Sequence, residues 1–175
     1  MKQYSKRMVI AHWLTLVLLI VAWFLGDDLA EARQGTGATL AGYFAHALVG
    51  GIVLLLTILR WTFRGVDGTP PPVGDSLMDL AARVIHFVLY ILLLLLAATG
   101  FMTVVASSVG LALLGGDASL LPAKYTGPGL IPNAVHEILV NVLIVVVVVH
   151  ILGAIKHQFI MKDGLMARMS LRRKS

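Results

Sequence analysis

Four histidines lie within long apolar segments of the chain and form two pairs, one near each end of those segments. The pairs are His12 with His150, and His46 with His136. An imidazole in an apolar surrounding is costly without a partner, and an ionisable residue inside a membrane helix is by default a functional one. Two facing imidazoles are well suited to bind a metal ion from opposite sides.

The composition indicates an integral membrane protein. Of the 175 residues, 58% are hydrophobic and only 13% are charged, and the mean hydropathy is +0.89. A span of the membrane needs about 20 apolar residues. Four stretches reach that length, at about residues 8–25, 43–63, 84–105 and 135–160. We therefore predict an all-α fold, a single domain over residues 1–175 that forms an up-down-up-down four-helix bundle in the membrane.

The basic residues predict the orientation of this bundle. Arg33 and Lys124 fall on one side of a four-span topology, and the other twelve of the 14 Lys and Arg residues fall on the opposite side. Cytoplasmic loops are enriched in Lys and Arg, so both termini are predicted to be cytoplasmic. The net charge of +5 then indicates topology and contact with anionic lipid, and not nucleic-acid binding. The twelve are Lys2, Lys6, Arg7, Arg60, Arg64, Arg83, Lys156, Lys162, Arg168, Arg172, Arg173 and Lys174.

Glycine and proline predict where the spans are connected. Helix 1 is expected to end near Gly26-Asp27-Asp28, before a short polar loop with Gly35 and Gly37. A stiff connector is expected at 68–72, which holds three successive prolines. The Gly- and Pro-rich residues 106–134 are expected to form the larger outer loop, with the leucines of 111–114 near the membrane interface.

The last span is the most informative. His150 follows His136 by 14 residues, which corresponds to about 21 Å of helical rise and a rotation about 40° short of four turns. Both imidazoles therefore lie on nearly one face. One helix supplies a ligand at each of two levels.

Antiparallel geometry restricts the partners of these two imidazoles. His46 begins helix 2 at the outer side, level with His136. His12 and His86 both lie at the inner depth of His150, so the spacing leaves the inner partner open. Glycines lie one turn from two of the histidines, where a flat macrocycle could approach the backbone, although such glycines also serve helix packing. They are Gly50, Gly51 and Gly153.

The set of histidines favours haem iron over zinc. A single histidine of this kind would more simply be a buried polar residue hydrogen-bonded to a neighbouring helix. Zinc usually takes four ligands, and neither level has the extra Cys, Asp or Glu. Glu137 is the nearby carboxylate, and its position at a helix end suits a solvated or capping role. The chain has no Cys, which excludes disulfides, thiolate ligation and cysteine-bound iron–sulfur clusters.

Motifs along the whole chain resemble the bacterial cytochrome b561 family, the small quinone-linked di-haem proteins of the inner membrane. Each motif is weak alone, but their joint spacing is specific. They are Tyr4-Ser5, Ala11-His12-Trp13, His46 with Leu59-Arg60, Thr69-Pro70-Pro71, His86 with Tyr90, His136-Glu137, His150, His157, Lys162-Asp163 and Arg168-Met169.

The resemblance implies two haem b groups, the inner one held by His12 and His150 and the outer one by His46 and His136. Family members of this size resemble superoxide oxidases, which pass an electron from periplasmic superoxide at the outer haem to ubiquinone. The chain is accordingly expected to be a superoxide:ubiquinone oxidoreductase. Related cytochromes serve instead as membrane subunits of hydrogenases or formate dehydrogenases, which would require a periplasmic redox partner.

Further candidates lie at the two ends of the bundle. His86 and His157 are left over on the cytoplasmic side, where they are candidates for binding the quinone, although His157 could equally contact lipid phosphate. Arg33 and Lys124 are candidates for guiding superoxide, with ordinary loop solvation as the simpler interpretation. A haem-free transporter or helix-packing protein is a third alternative. Against transport, the spans lack the broken-helix pair typical of transport sites. A homo-oligomer is compatible with all of these.

Overall fold

The computed structural model describes residues 2–34, 37–71 and 77–172, and this part of the chain is helices joined by turns. Four helices are long: α1 (Lys6–Gln34), α2 (Leu40–Asp67), α3 (Leu77–Val105) and α5 (Leu130–Ile155). A short helix, α4 (Ser108–Gly115), lies between α3 and α5. A π-helical segment, Lys156–Met161, continues α5, and single 3-10 turns occur at Ala118–Leu120, Gly127–Gly129 and Leu165–Met169.

Four helical segments are long and apolar enough to cross a membrane. They are Lys6–Gln34, Leu40–Asp67, Asp79–Val105 and Gly127–Met161. The predicted all-α membrane fold with four spans is therefore confirmed. The assignment of both termini to the cytoplasmic side stays a prediction, and "inner" and "outer" below are used in that sense.

Helix α1 is longer than its apolar run. The prediction that it ends near Gly26-Asp27-Asp28 is wrong, because the helix continues through these residues to Gln34. A loss of hydropathy marks where a helix leaves the apolar layer and does not mark where its backbone hydrogen bonds stop. The extension has a packing role, since Leu29 is buried against Tyr43 of α2.

The ends of α2 follow from its flanking residues. The hydroxyl of Thr39 accepts a hydrogen bond from the backbone N–H of Gly42 at 3.1 Å, which caps the first turn. Gly68, at φ 71°, ends the helix in a conformation that other residues adopt reluctantly. The expected connector is non-helical over 68–71. The predictions that fall on Gly35, Pro72, Arg173 and Lys174 concern positions outside the described residues.

The expected outer loop at 106–134 contains regular structure, which corrects that prediction. Helix α4 begins after Ser107, whose hydroxyl accepts from the backbone N–H of Val109, and ends at Gly116 with φ 68°. Val109 is fully buried and Leu114 is 90% exposed, so α4 turns one face to the bundle and the other outward. Helix α5 also begins inside the expected loop, at Leu130.

The long helices pack as two close pairs, α1 with α2 and α3 with α5, and α2 contacts α3 between them. The central core holds Val53 and Leu143, which are buried together with leucines of α3. Val53 lies seven residues after His46, and Leu143 lies midway between His136 and His150. An apolar layer therefore separates the outer level of histidines from the inner level.

The C-terminal segment folds back under the inner end of the bundle. The backbone N–H of Tyr4 donates to the carbonyl of Arg168, and the indole N–H of Trp13 donates to the carbonyl of Met169 at 3.0 Å. The guanidinium of Arg168 donates to the carbonyl of Pro71 at 2.6 Å. These bonds tie the tail to the N-terminus and to the connector after α2, and they close the inner end.

Candidate functional site

The outer level brings together His46 of α2 and His136 of α5. Their ring centroids are 6.2 Å apart and the rings are inclined by 78°. Nδ1 of His46 lies 3.0 Å from the carbonyl oxygen of Ala22, and Nδ1 of His136 lies 3.0 Å from that of Leu96 and 3.1 Å from Oγ1 of Thr99. A carbonyl can only accept, so Nδ1 carries the proton in both rings. Nε2 is left as a free electron-pair donor, as in metal-binding imidazoles.

Two glycines allow the helices to approach these outer imidazoles closely. A Cβ added at Gly26 of α1 would lie 3.1 Å from Cε1 of His46, and one added at Gly100 of α3 would lie 3.2 Å from Cε1 of His136. Larger residues would push the rings aside. The sequence predicted neither contact, because each glycine and its histidine are distant in the chain and lie on different helices.

The inner level brings together three imidazoles. The ring centroids of His12 and His150 are 6.3 Å apart, with the rings inclined by 73°. His86 of α3 lies closer to His150, at 4.9 Å, and its Nδ1 is 2.6 Å from the carbonyl oxygen of Ala82 on its own helix. Neither His12 nor His150 forms a hydrogen bond with another described residue.

The separations in the two pairs suit one metal ion between each pair of rings. With an imidazole nitrogen about 2 Å from a metal such as zinc, two rings on opposite sides of one ion have centroids about 6 Å apart. His46 with His136 and His12 with His150 both meet this distance. All three ring pairs meet edge-on, but the centroids of His86 and His150 are only 4.9 Å apart, as in direct ring packing.

The glycines beside the histidines leave room for a large flat group. An added Cβ at Gly50, Gly51 or Gly153 would meet no described atom within 4 Å. A glycine that serves helix packing has a neighbouring helix within that distance. These three glycines have none, so the structure does not support a helix-packing role for them. The donor set and the open glycine faces fit a haem, with His46 and His136, and His12 and His150, as the residues that would hold it.

The inner end of α5 carries a buried pair of His157 and Asp163. Nδ1 of His157 lies 2.5 Å from Oδ2 of Asp163, and Oδ1 of Asp163 accepts from the backbone N–H of Leu165 at 3.0 Å. Burial by itself would raise the pKa of Asp163, but these two hydrogen bonds outweigh it and hold the pKa below its usual range. His157 is only 7% exposed, beneath the C-terminal segment.

The two outer basic residues differ in their surroundings. Arg33 lies over the ring of Tyr125, 5.0 Å from its centroid, and donates to Oε1 of Glu137 at 3.4 Å, directly beside His136. Lys124 is exposed on the segment before α5. Burial raises the pKa of Tyr125, whose hydroxyl donates to that of Tyr43 at 3.3 Å. The structure thus brings Arg33, and not Lys124, into a defined contact beside the outer pair.

The sequence analysis did not predict a site role for three of the polar residues that lie near the histidines. Thr99 contacts His136 from another helix, and Asp163 contacts His157 across a turn, so neither has a clear sequence signal. Arg60 lies near the inner histidines, and its charge acts on His12, His86 and His150. Its signal was present, because it follows His46 by the same 14 residues that separate His136 from His150.

Two levels of facing imidazoles inside a four-helix membrane bundle fit a membrane protein of the haem-binding, electron-transfer class. The family model for prokaryotic cytochrome b561 matches residues 3–170, and the chain belongs to this family. Membership implies haem b and membrane electron transfer, in a family of the bacterial inner membrane.

Curated relatives match over nearly their whole length. Cytochrome b562 of Cereibacter sphaeroides is 28% identical over 170 residues, covering 95% of this chain and 94% of the relative. Cytochrome b561 homolog 1 of Escherichia coli is 25% identical, covering 99% and 100%. Probable superoxide oxidase CybB of Yersinia pestis is 27% identical, covering 96% of each chain. No solved structure matches the chain significantly.

Proposed function

We propose that this cytochrome holds two haem b groups and moves electrons from superoxide on the outer side to ubiquinone on the inner side. His46 and His136 would hold the outer haem, and His12 and His150 the inner one. The observation that carries the proposal is the pair of nearly equal ring separations, 6.2 and 6.3 Å, at two levels of one bundle. Held by these histidines, haem b would supply one-electron transfer.

The surroundings of the outer histidines support superoxide as the electron donor. Superoxide is an anion, and a fixed positive charge near the outer pair would attract it. Arg33 is held beside His136 by Tyr125 and Glu137, and Lys124 adds a second charge on the neighbouring segment. The Yersinia relative is named a probable superoxide oxidase, and its similarity to this chain extends from end to end.

The surroundings of the inner histidines support quinone as the acceptor. Reduction of a quinone to the quinol takes two electrons and two protons, and two superoxide ions supply the electrons by becoming two molecules of oxygen. A histidine can deliver a proton at neutral pH. His157 follows His150 by seven residues, about 10 Å along the helix and on the same face. Asp163 orients the ring of His157. His86, whose ring centroid lies 4.9 Å from that of His150, is a second candidate.

The proposal is tested by mixing the purified protein with superoxide and following the haem absorption with and without ubiquinone. Superoxide should reduce the haem rapidly, and ubiquinone should reoxidise it with the formation of quinol. Superoxide dismutase, added first, should abolish the reduction. A cytochrome that superoxide leaves oxidised would contradict superoxide as the donor.

That negative result would favour the alternative, an electron-transfer subunit that anchors a periplasmic dehydrogenase or hydrogenase. Such a subunit would co-purify from membranes with its partner and would be reduced when the substrate of that partner is added. A preparation without haem would overturn both proposals and leave the haem-free transporter.

A further inference from the structure

Arg60 occupies on the inner level of α2 the place that His46 occupies on the outer level. The two residues are 14 positions apart, with the buried Val53 midway between them. The same spacing separates His136, Leu143 and His150 on α5. Because 14 residues are close to four helical turns, Arg60 faces the interior at the depth of the inner histidines.

Arg60 is partly buried, and its guanidinium carries an unsatisfied donor. Its Nε is buried and has no hydrogen-bond partner, and no carboxylate among the described residues pairs with it. Its guanidinium carbon lies over the ring of Tyr90, 5.3 Å from the centroid. An aromatic face satisfies only part of a buried cation, and a charged group within a membrane span normally has an anionic partner.

The neighbouring basic residues at the inner ends of α2 and α1 have different surroundings. Arg64, one turn closer to the end of α2, is exposed. Arg7 pairs with Asp67 at that end. Lipid phosphates and solvent lie at that end, whereas Arg60 lies seven residues inside it, about 10 Å along the helix. The anionic partner of Arg60 is therefore expected within the bundle.

We infer that Arg60 pairs with a propionate of the inner haem and raises the reduction potential of that haem above that of the outer one. The inference rests on the proposed ligation by His12 and His150. Haem b carries two carboxylates, and guanidinium binds a carboxylate through two parallel hydrogen bonds. Reduction adds a negative charge, so a buried cation nearby stabilises the reduced form. At the outer level Glu137 offsets part of the charge of Arg33, so Arg33 raises the potential of the outer haem less than Arg60 raises that of the inner one. Electron transfer from the outer level to the inner one is then favourable.

The test is a redox titration of the purified holoprotein with Arg60→Gln, Arg60→Lys and the control Arg64→Gln. In Arg60→Gln, one of two midpoint potentials should become more negative. The reduced-to-oxidised ratio at a fixed potential should fall at least tenfold, about 59 mV for a one-electron couple. The other potential should stay unchanged. Arg60→Lys should retain most of the wild-type value, and Arg64→Gln should move neither potential.

Several results would overturn the inference. They are an unchanged pair of potentials in Arg60→Gln, an equal shift in Arg64→Gln, and the loss of one haem from both Arg60 variants. The loss of one haem from Arg60→Gln alone would support the pairing, because Arg60→Lys keeps the positive charge and Arg60→Gln does not. The wild-type haem content tests the proposed ligation separately, since a wild type with fewer than two haems contradicts the ligation before Arg60 is considered.

A lipid phosphate is the other possible source of an anionic oxygen. The wild type is therefore titrated in vesicles of phosphatidylcholine and in vesicles that also contain phosphatidylglycerol. Equal potentials in the two vesicles support a partner inside the protein. If a midpoint potential changes when phosphatidylglycerol is present, and does so only in protein that retains Arg60, the anionic partner is lipid and the inference is overturned.

Discussion

The outer and inner levels hold nearly identical imidazole pairs in different surroundings. At the outer level each ring is fixed through Nδ1 to a backbone carbonyl, and Gly26 and Gly100 bring helices against it. At the inner level the rings of His12 and His150 have no such anchor among the described residues, but His86 and the partly buried Arg60 lie near them. The surroundings of the outer pair fix the orientation of its rings, whereas the surroundings of the inner pair place charged and titratable groups beside its rings.

The largest expected effect separates His12 from His86 as the partner of His150. His12→Ala should lower the haem content from two per chain to one, because it removes one side of the inner pair. His86→Ala, a matched change at the same depth, should keep both haems. The haem-to-protein ratio measures both variants. Loss of a haem from His86→Ala with retention in His12→Ala would reverse the assignment.

A second effect tests the open glycine face beside the outer pair. In Gly50→Leu the new side chain meets no described protein atom near its Cβ, so the fold should persist, but it would fill the space assigned to the porphyrin. We therefore expect the outer haem to be present in less than one copy per chain, and the inner haem to be retained. Gly65→Leu, equally open and on the same helix near its inner end, is the control. Equal haem content in the two variants would show that the face of Gly50 is not used.

A third effect concerns the inner end alone. Asp163→Asn removes the carboxylate that fixes the tautomer of His157 and should slow quinone reduction by about tenfold or more while both haems stay bound. Asp117→Asn, on the outer segment where the carboxylate accepts from Ser119, is the control and should leave the rate unchanged. Stopped-flow reoxidation by ubiquinone measures this rate. A wild-type rate in Asp163→Asn would remove His157 from the quinone site.

The pH dependence of this contact follows from the lowered pKa of Asp163. A carboxyl group with a lowered pKa stabilises the fold fully above its unfolded pKa of about 3.9, and the contribution is lost as the pH falls through the lowered value. The wild type should therefore differ from Asp163→Asn in thermal stability near pH 7, and the difference should shrink as the pH falls below about 4. A difference that grows with acid would contradict the sign of this contact.

The smallest expected effect tests the anchoring of the outer pair. Thr99→Val removes one of the two oxygen atoms near Nδ1 of His136, and the carbonyl of Leu96 remains. The haem affinity should fall by less than the 10–100-fold typical when the hydrogen-bond partner of a metal-binding histidine is lost. Haem release to apomyoglobin measures it. Thr62→Val, whose hydroxyl bonds to its own helix at an exposed position, should have no effect.

The sequence predicted the spans and the levels because both depend on local periodicity. Hydropathy marked the four spans, and the 14-residue spacing put His136 and His150 on one face. The end of α1 was misplaced, because Asp27 and Asp28 lie in a helix that continues beyond the apolar layer. Helix α4 was missed because a short segment rich in Gly reads as a loop.

The rest of the site depends on contacts between helices, which a single sequence does not contain. The proximity of Gly26 to His46 and of Thr99 to His136 needs the register between two helices. The choice between His12 and His86 needs ring distances, since both lie at one depth. Arg60 could have been found from its spacing to His46, but the sequence analysis used it only for the topology and for the motif Leu59-Arg60.

The haem content of the purified wild type tests the central claim most directly. A reduced-minus-oxidised spectrum, with haem and protein quantified in the same sample, gives both the type of haem and its number per chain. Two haem b per chain is the predicted result, one for each pair of imidazoles. One haem per chain would contradict the equivalence of the two levels, and none would contradict the ligation altogether.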